Sequence, residues 1–303
     1  MFRSWWAGLN GRRVAVVGDI NLDIIAFHST FPREGGEELA DRAYVRHGGS
    51  GANIAHALSL LGADAVMVGC VGEDQIGRML VAGLAEAGAD TSNIQTTRED
   101  TTGVVYVVVT GNGERTMLAY RGANRHLRKD ILREDALDDV AAIHISGYSF
   151  LEGAQRQTAF YILEHSGSRL RTMDVCMPLA RQTTLLNHIA KQMDYVFINA
   201  EEFKNLSRNS GVESVSALAS RWGCTVVLKK GSRGCEICTK DGEIIALAAE
   251  PVEPVDTTGA GDAFAAGFIY ELLRGSSLRQ CGLTAVRLGA QAARTIGGRL
   301  PRV

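Results

Sequence analysis

The residues best suited to chemistry lie near the C-terminus, in Asp256-Thr257-Thr258-Gly259-Ala260-Gly261-Asp262, directly ahead of the strongly helical run Ala263–Tyr270. Glycines let a backbone turn tightly and bring its N–H groups close to a ligand. A helix start adds unpaired N–H donors and the positive end of the helix dipole. Gly259, Ala260 and Gly261 therefore predict an anion hole suited to a phosphoryl group in transfer. Asp262 falls in the first turn beside that hole. A carboxylate there can take the proton of a substrate hydroxyl as it attacks a γ-phosphate. Asp is also a favoured helix cap, but capping alone gives no reason for Asp256, two threonines and Gly-Ala-Gly to accompany it. The P-loop pattern G-x-x-x-x-G-K-[ST] is absent, and Phe264 prevents Gly259-Ala260-Gly261 from completing G-x-G-x-x-G. No glycine-rich turn of the dinucleotide type follows the first strand, which argues against a nicotinamide-dependent oxidoreductase.

The elements that must position these residues can be read from periodicity. Short, nearly continuous apolar runs occur at Val14–Gly18, Ala65–Gly69, Ala142–Ser146, Tyr195–Ile198 and Thr225–Leu228, the pattern of parallel strands buried on both faces. Helical patterns lie between them at Ala52–Leu61, Ile76–Ala87, Gln155–His165, Thr183–Gln192 and Ser214–Arg221, and helical periodicity fills Ala260–Arg274 and Leu278–Ile296. The alternation predicts an α/β fold, a doubly wound, mostly parallel sheet flanked by helices. Two excursions, 24–47 and 101–120, break it. In the second, Val104–Thr110 and Arg115–Tyr120 flank Gly111-Asn112-Gly113, a strong hairpin signal. Together the excursions predict a small β-sheet lid. With no internal repeat or long linker, residues 1–303 are expected to form a single domain.

Composition narrows the partners. The chain has 303 residues, 46% hydrophobic and 22% charged, with a formal net charge of -2. That balance gives no basic face for nucleic acid, and the mixed charge run Arg121–Arg133 reads as solvated surface. Six scattered cysteines suggest a reducing compartment rather than a disulfide framework. Cys235-x-x-Cys238 has metal-ligand spacing, but it has no second pair and reads as a strand leading into the turn Lys240-Asp241-Gly242. Met1–Trp6 is too short and interrupted for a signal peptide. No stretch approaches the roughly 18 apolar residues of a membrane span. A soluble, cytoplasmic protein with no membrane partner is expected.

Several anchors in order make the chain resemble the ribokinase family, the PfkB carbohydrate kinases, over nearly its whole length. Asp256–Asp262 looks like the family's C-terminal signature, and Gly48-Gly49-Ser50-Gly51-Ala52-Asn53 with Leu61-Gly62-Ala63 looks like its N-terminal one. Val68–Gly77 resembles the strand and turn that follow, and Gly18-x-x-Asn21-x-Asp23 resembles the end of the family's first strand. The resemblance implies an ATP- and Mg2+-dependent kinase of a sugar or sugar-like molecule, with Asp262 as base and Gly259, Ala260 and Gly261 as the anion hole. It implies that Asn21 and Asp23 hold substrate hydroxyls, that Gly48 and Gly49 let the backbone approach the substrate, and that Asn53 adds a polar contact. Asn199-Ala200-Glu201-Glu202 is similar to the family's Asn-x-x-Glu element, so Asn199 and Glu202 would organise phosphates and magnesium through water; as residues they also suit a helix cap. Lys229 and Gly231 would lie on the nucleotide side. Asp256 and Thr258, with the segment 293–302, would hold a monovalent cation such as K+, although Arg302 would repel it.

The sequence also departs from that pattern. Ser50 replaces the Lys typical of ribose kinases, no acid stands in Gly147-Tyr148-Ser149-Phe150 unless Glu152 shifts register, and Val286 takes a position that is often polar. A neutral polyol substrate is expected, because only the lid offers anion-binding candidates, Arg115 and His28. The lid aromatics Phe27, Phe31, Tyr106 and Tyr120 could instead build a base-stacking pocket, giving a nucleoside kinase. A non-catalytic sugar-binding sensor is the alternative of a different class, and the base and the Asn199/Glu202 pair weigh against it. The lid's sheet edge suggests a homodimer.

Overall fold

The computed structural model describes residues 13–111, 114–133 and 137–300; the turn residues Asn112 and Gly113, the segment Met1–Trp6 and Arg302 lie outside them. The strands are β1 Arg13–Val17, β2 Asn21–Phe27, β3 Arg42–Gly48, β4 Asp64–Gly72, β5 Asp90–Thr97, β6 Gly103–Val109, β7 Arg115–Tyr120, β8 Ala142–Ser146, β9 Leu170–Asp174, β10 Tyr195–Asn199, β11 Thr225–Lys229, β12 Cys235–Cys238 and β13 Ile244–Leu247. The helices are α1 Ser50–Leu60, α2 Gln75–Glu86, α3 Gly153–Glu164, α4 Met177–Ala180, α5 Thr183–Ala190, α6 Ala200–Ser210, α7 Val215–Trp222, α8 Ala260–Leu273 and α9 Leu278–Ala292.

Nine strands form the main sheet in the order β13-β12-β11-β10-β9-β8-β1-β4-β5. All neighbours are parallel except β12 and β13, which fold back antiparallel at one edge. Its side chains supply two cores. Val14, Val16, Phe197 and Val227 face α1, α2, α8 and α9; Ala15, Val17, Val196, Ile198, Val226 and Leu228 face α3, α5 and α7. Each strand is covered on both sides, which is why its apolar run is continuous rather than alternating. α8 is apolar almost all round because it lies between the sheet and α9. Its Phe268 is fully buried and meets Phe197 edge-on at 5.3 Å between ring centroids.

The remaining four strands pair as a second sheet, β3-β2-β6-β7. β2 begins at Asn21, so Asn21 and Asp23 belong to this small sheet and not to the end of β1, which stops at Val17. Strands β5, β9 and β13 escape the sequence reading. β5 and β9 are rich in polar residues, Asp90-Thr91-Ser92-Asn93 in the first and Arg171, Thr172 and Asp174 in the second, and neighbouring strands rather than intrinsic pattern hold them. α9 ends at Ala292, short of Ile296, as the chain turns toward Gly297-Gly298. The run Arg121–Arg133 is not simply solvated surface: Asn124 and Leu127 are fully buried, and the Arg121 guanidinium is almost enclosed. Among the described residues, no helix is long and apolar enough to cross a membrane.

The Phe268 contact fixes how α8 seats on the sheet. Phe268→Ala is expected to lower unfolding free energy by about 3–5 kcal/mol in urea titration, the cost of a large aromatic cavity; a loss under about 1 kcal/mol would mean the helix is positioned by something else.

Candidate active site

Seven parallel strands of the main sheet end on one side, and the register there sets acids beside bases. Phe197 pairs with Asp174 and Asn199 with Lys229, so the last residues of β9, β10 and β11 form a row at the carboxyl end of the sheet, where open α/β sheets bind ligands. Lys229 Nζ donates to both oxygens of Asp174, at 2.7 and 2.9 Å. Burial opposes the charge on Lys229, but Asp174 and Glu202 outweigh it and keep the ammonium pKa above its ordinary value. The same head group lies against the first turn of α8, since a Cβ at Gly261 would stand 3.2 Å from Lys229 Nζ.

Asn199 and Glu202 form a reciprocal capping box on α6: each backbone N–H donates to the other's side-chain oxygen at 2.9 Å. The helix-cap role allowed by the sequence is thus realised. Glu202 is buried, and burial pushes its pKa up to about 7 despite the pull of Lys229.

Asp262 sits in the first turn of α8, held from α1. Asn53 Nδ2 donates to its Oδ2 at 2.8 Å and Ser50 Oγ to its Oδ1 at 3.1 Å. Burial, then the Asp174 charge, raises its pKa to about 6 against those donors and Lys229. The turn requires glycine at 259: φ is +70°, and a Cβ would meet the Gly298 backbone at 2.1 Å. Gly48 serves a different need. A Cβ there would fall 2.1 Å from Asp23 Oδ2, so its absence makes room for that carboxylate. Gly49 precedes α1 with φ +90°. Asp23 is buried, and its Oδ1 has no hydrogen-bond partner among the described residues. Burial, with Asp262 and Asp256 nearby, lifts its pKa to about 7.

The Asp256 carboxylate organises the loop before α8. Its Oδ1 accepts from Thr258 N and Oγ1 at 2.9 and 2.7 Å, and its Oδ2 accepts from Gly297 N at 2.9 Å. Arg115, from the start of β7, reaches this loop: its Nη1 donates to Thr258 Oγ1 at 3.0 Å and lies 3.6 Å from Asp256 Oδ1.

Asp23, Asn53, Asp256, Thr258, Gly259, Ala260, Gly261, Asp262, Lys229, Gly48 and Gly49 therefore converge on the start of α8. Asn21 is adjacent, its Oδ1 taking a 2.7 Å bond from Asn124 Nδ2. Gly231 opens a short turn after β11, with φ +59°. Other candidates are engaged elsewhere. His28 turns to Glu38 at 3.3 Å, and Glu152 lies 3.6 Å from Arg121 Nη1. The lid aromatics do not share one pocket. Tyr106 pairs across from Ile24 and Leu118, whereas Phe27 pairs across from Val109, which puts their rings on opposite faces of the small sheet. Tyr120 Oη binds Asp100.

Sequence reasoning missed several residues. Asp174 ends a strand that was not anticipated; an acid closing a β-strand just ahead of a helix was its only signal. Arg121 and Asn124 were hidden in a charge run. Asn124 Oδ1 accepts from Ile20 N at 2.8 Å, and Arg121 grips Asp19 through two nitrogens while also meeting Gln155. Arg299 was not singled out; its Nη1 lies 2.8 Å from His47 Nδ1.

The adenosine kinase of Sinorhizobium meliloti has the same fold, with a TM-score of 0.85 at 24% identity, and 96% of each chain is covered. The ribokinase of Haemophilus influenzae is 28% identical over 293 residues, covering 93% of this chain and 91% of that protein. The 5-dehydro-2-deoxygluconokinase of Geobacillus thermodenitrificans is 30% identical over 295 residues, covering 91% and 85%. The chain belongs to the pfkB family of carbohydrate kinases, whose profile matches residues 12–302, and with it to the phosphotransferases that act on an alcohol group.

Proposed function

We propose that this protein transfers the γ-phosphate of ATP to a hydroxyl of a sugar or sugar-like molecule, with Asp262 as the base. The observation behind it is the half-buried Asp262 carboxylate at the start of α8, held by Asn53 and Ser50, its pKa raised to about 6. A substrate hydroxyl donates to Asp262 and gives up its proton as its oxygen attacks the γ-phosphorus. The new O–P bond forms as the bond to the β–γ bridging oxygen breaks, and ADP leaves with that oxygen. N–H groups of the Gly259–Gly261 turn receive the charge on the transferring group, and Lys229 stands beside them. Asp23 and Asn21 hold substrate hydroxyls. The small sheet acts as the lid, and its opening admits substrate while its closure excludes water.

The donors fit magnesium as a partial shell. Among the described residues no group of three or more His, Cys, Asp or Glu is placed to hold a metal ion, but Glu202, near the Lys229–Asp174 pair, suits a divalent cation carried largely by phosphates and water. Bound there, Mg2+ would neutralise phosphate charge. The residues at Asp256 do not fit K+ as well. Its oxygens already take three hydrogen bonds, and the Arg115 guanidinium sits where a cation would. Lid aromatics divided between two faces favour a sugar over a nucleoside, as do the carbohydrate kinases among the relatives. Six buried, unpaired cysteines suit a reducing cytosol.

A second copy suits the outer face of the small sheet. Val45, Tyr106 and Leu118 are 55%, 50% and 72% exposed and fall in one cross-strand row with Ile24, an apolar strip on a sheet whose edge strands, β3 and β7, have no further strand beside them among the described residues.

Asp262→Asn should cut kcat by roughly 10²–10⁴-fold, and wild-type kcat should fall about tenfold per pH unit below 6. Because the folded pKa is raised, Asp262 favours folding when protonated, and that contribution is lost as pH rises from about 4 through 6. Asn should therefore raise Tm at pH 8; near-normal turnover would remove Asp262 as the base. ADP-release rates should be equal in potassium and tetramethylammonium, and Arg115→Ala should create a potassium requirement; potassium dependence of the wild type would place the cation in the ion rather than in Arg115. Light scattering should find a dimer that Leu118→Glu with Tyr106→Glu converts to a monomer, and a monomeric wild type at micromolar concentration would exclude the interface.

A further inference from the structure

Four buried polar atoms about the Asp23–Asp262 cluster have no hydrogen-bond partner among the described residues: Asp23 Oδ1, Asn53 Oδ1, Arg299 Nε and Arg299 Nη2. Two are acceptors, and two are donors on one side of a single guanidinium. Buried polar atoms ordinarily find partners, and those that do not point to something still to be bound. Resting on the kinase reading above, we infer that Arg299 selects the substrate: the phosphorylated molecule is a polyol that carries an oxyanion, whose oxygens take the Nε and Nη2 donors of Arg299 while its hydroxyls serve Asp23 and Asn53.

Arg299 is built into place rather than lying on the surface. It follows Gly297 and Gly298, whose backbone is fixed between Asp256 and Asn53: Gly297 N donates to Asp256 Oδ2 at 2.9 Å, and a Cβ at Gly298 would meet Asn53 Nδ2 at 2.4 Å. Nη1 is already used, 2.8 Å from His47 Nδ1. Burial and the Arg299 charge hold the His47 pKa below its ordinary value, with Glu86 opposing, so the imidazole is neutral and Nδ1 accepts. That bond turns one nitrogen toward His47 and leaves Nε and Nη2, the edge that pairs side-on with two oxygens of a carboxylate or phosphate. Burial lowers the Arg299 pKa to about 10, with Asp23 opposing; the group remains charged at neutral pH yet is poorly compensated. No hydrogen bond joins Arg299 to Asp23, and burial beside Asp262 and Asp256 already raises the Asp23 pKa to about 7. An anion there meets a cation in want of a partner. The expectation of a neutral polyol rested on finding anion-binding candidates in the lid alone. The chain brings this one from beyond α9, 276 positions from Asp23 (299 less 23).

The test uses matched skeletons on the full-length protein: gluconate, glucitol and glucitol 6-phosphate, with the five-carbon aldonate and alditol pairs. Wild type should favour an anionic member over its alditol in kcat/KM by about 100-fold or more, because losing the charged partner leaves Arg299 buried and unpaired. Whether gluconate or the phosphate is preferred identifies the oxyanion. In Arg299→Leu the ratio should collapse to within about tenfold of unity, and Arg299→Lys, which keeps the charge but not the side-on pair, should fall between. An unchanged ratio in Arg299→Leu, including an equal loss on both substrates, would assign Arg299 a structural role and overturn the inference, as would wild-type preference for the alditols. The last two results leave the kinase reading intact. Should no compound yield ADP, calorimetry with gluconate and glucitol 6-phosphate separates the two readings. Binding that Arg299→Leu abolishes would sustain the anion subsite without the kinase, and absence of binding would overturn the subsite as well.

Discussion

A carboxylate taken out of water must find donors or give up its charge, and this protein gathers several at one end of its sheet. Asp23, Asp256, Asp262, Asp174 and Glu202 are drawn from β2, the α8 loop, α8, β9 and α6. They share few cations: Lys229 faces Asp174, Arg115 faces Asp256 and Arg299 faces Asp23. At Asp174 burial raises the pKa even against its direct ion pair with Lys229; at Asp23, Asp262 and Glu202, which have no such pair, burial raises the pKa toward neutrality. A carboxylate poised there is a competent proton acceptor near pH 7, and the same imbalance costs the folded protein stability as pH rises. The crowding is thus a constraint on the fold and the source of its chemistry.

Holding that arrangement together falls to helix α1. Its first residues supply both donors to Asp262, and the glycines before it leave space for Asp23. The contact between Asn53 and Asp262 spans 209 positions in sequence. Since α1 follows β3 directly through Gly49, movement of the small sheet is coupled to the groups that orient Asp262. The second link is Arg115, which runs from β7 to Thr258. The small sheet therefore touches the α8 start at both of its ends, and opening it means breaking a charged contact.

Much of this was legible in the sequence, and the boundary of legibility has a physical basis. The buried strands announce themselves because both faces are covered, and the α8 start because glycines, an acid and a helical run follow one another in fixed succession. β5 and β9 do not, because their polar residues are satisfied by partners far away in sequence. Asp174 was lost with its strand. Arg121 and Asn124 illustrate a different failure. A charge run looks the same on paper whether water or Asp19 solvates its first member, and only the fold decides which. Arg299 is a third case, a residue near the C-terminus whose importance depends wholly on where Asp256 anchors the backbone after α9.

Comparison of Arg115 with Arg299 shows how similar residues come to do different work. Both are partly buried arginines facing an aspartate of the same cluster. Arg115 has satisfied partners, a hydroxyl at 3.0 Å and a carboxylate at 3.6 Å, so it completes the loop and has little left to offer a ligand. Arg299 spends one nitrogen on a neutral imidazole and keeps two donors in reserve. A guanidinium satisfied by protein stabilises the fold around it, whereas one left partly unsatisfied stabilises whatever brings the missing oxygens. The role proposed for Asp262 rests on the family pattern, whereas the choice of molecule proposed for Arg299 rests on which buried donors the protein leaves unmet.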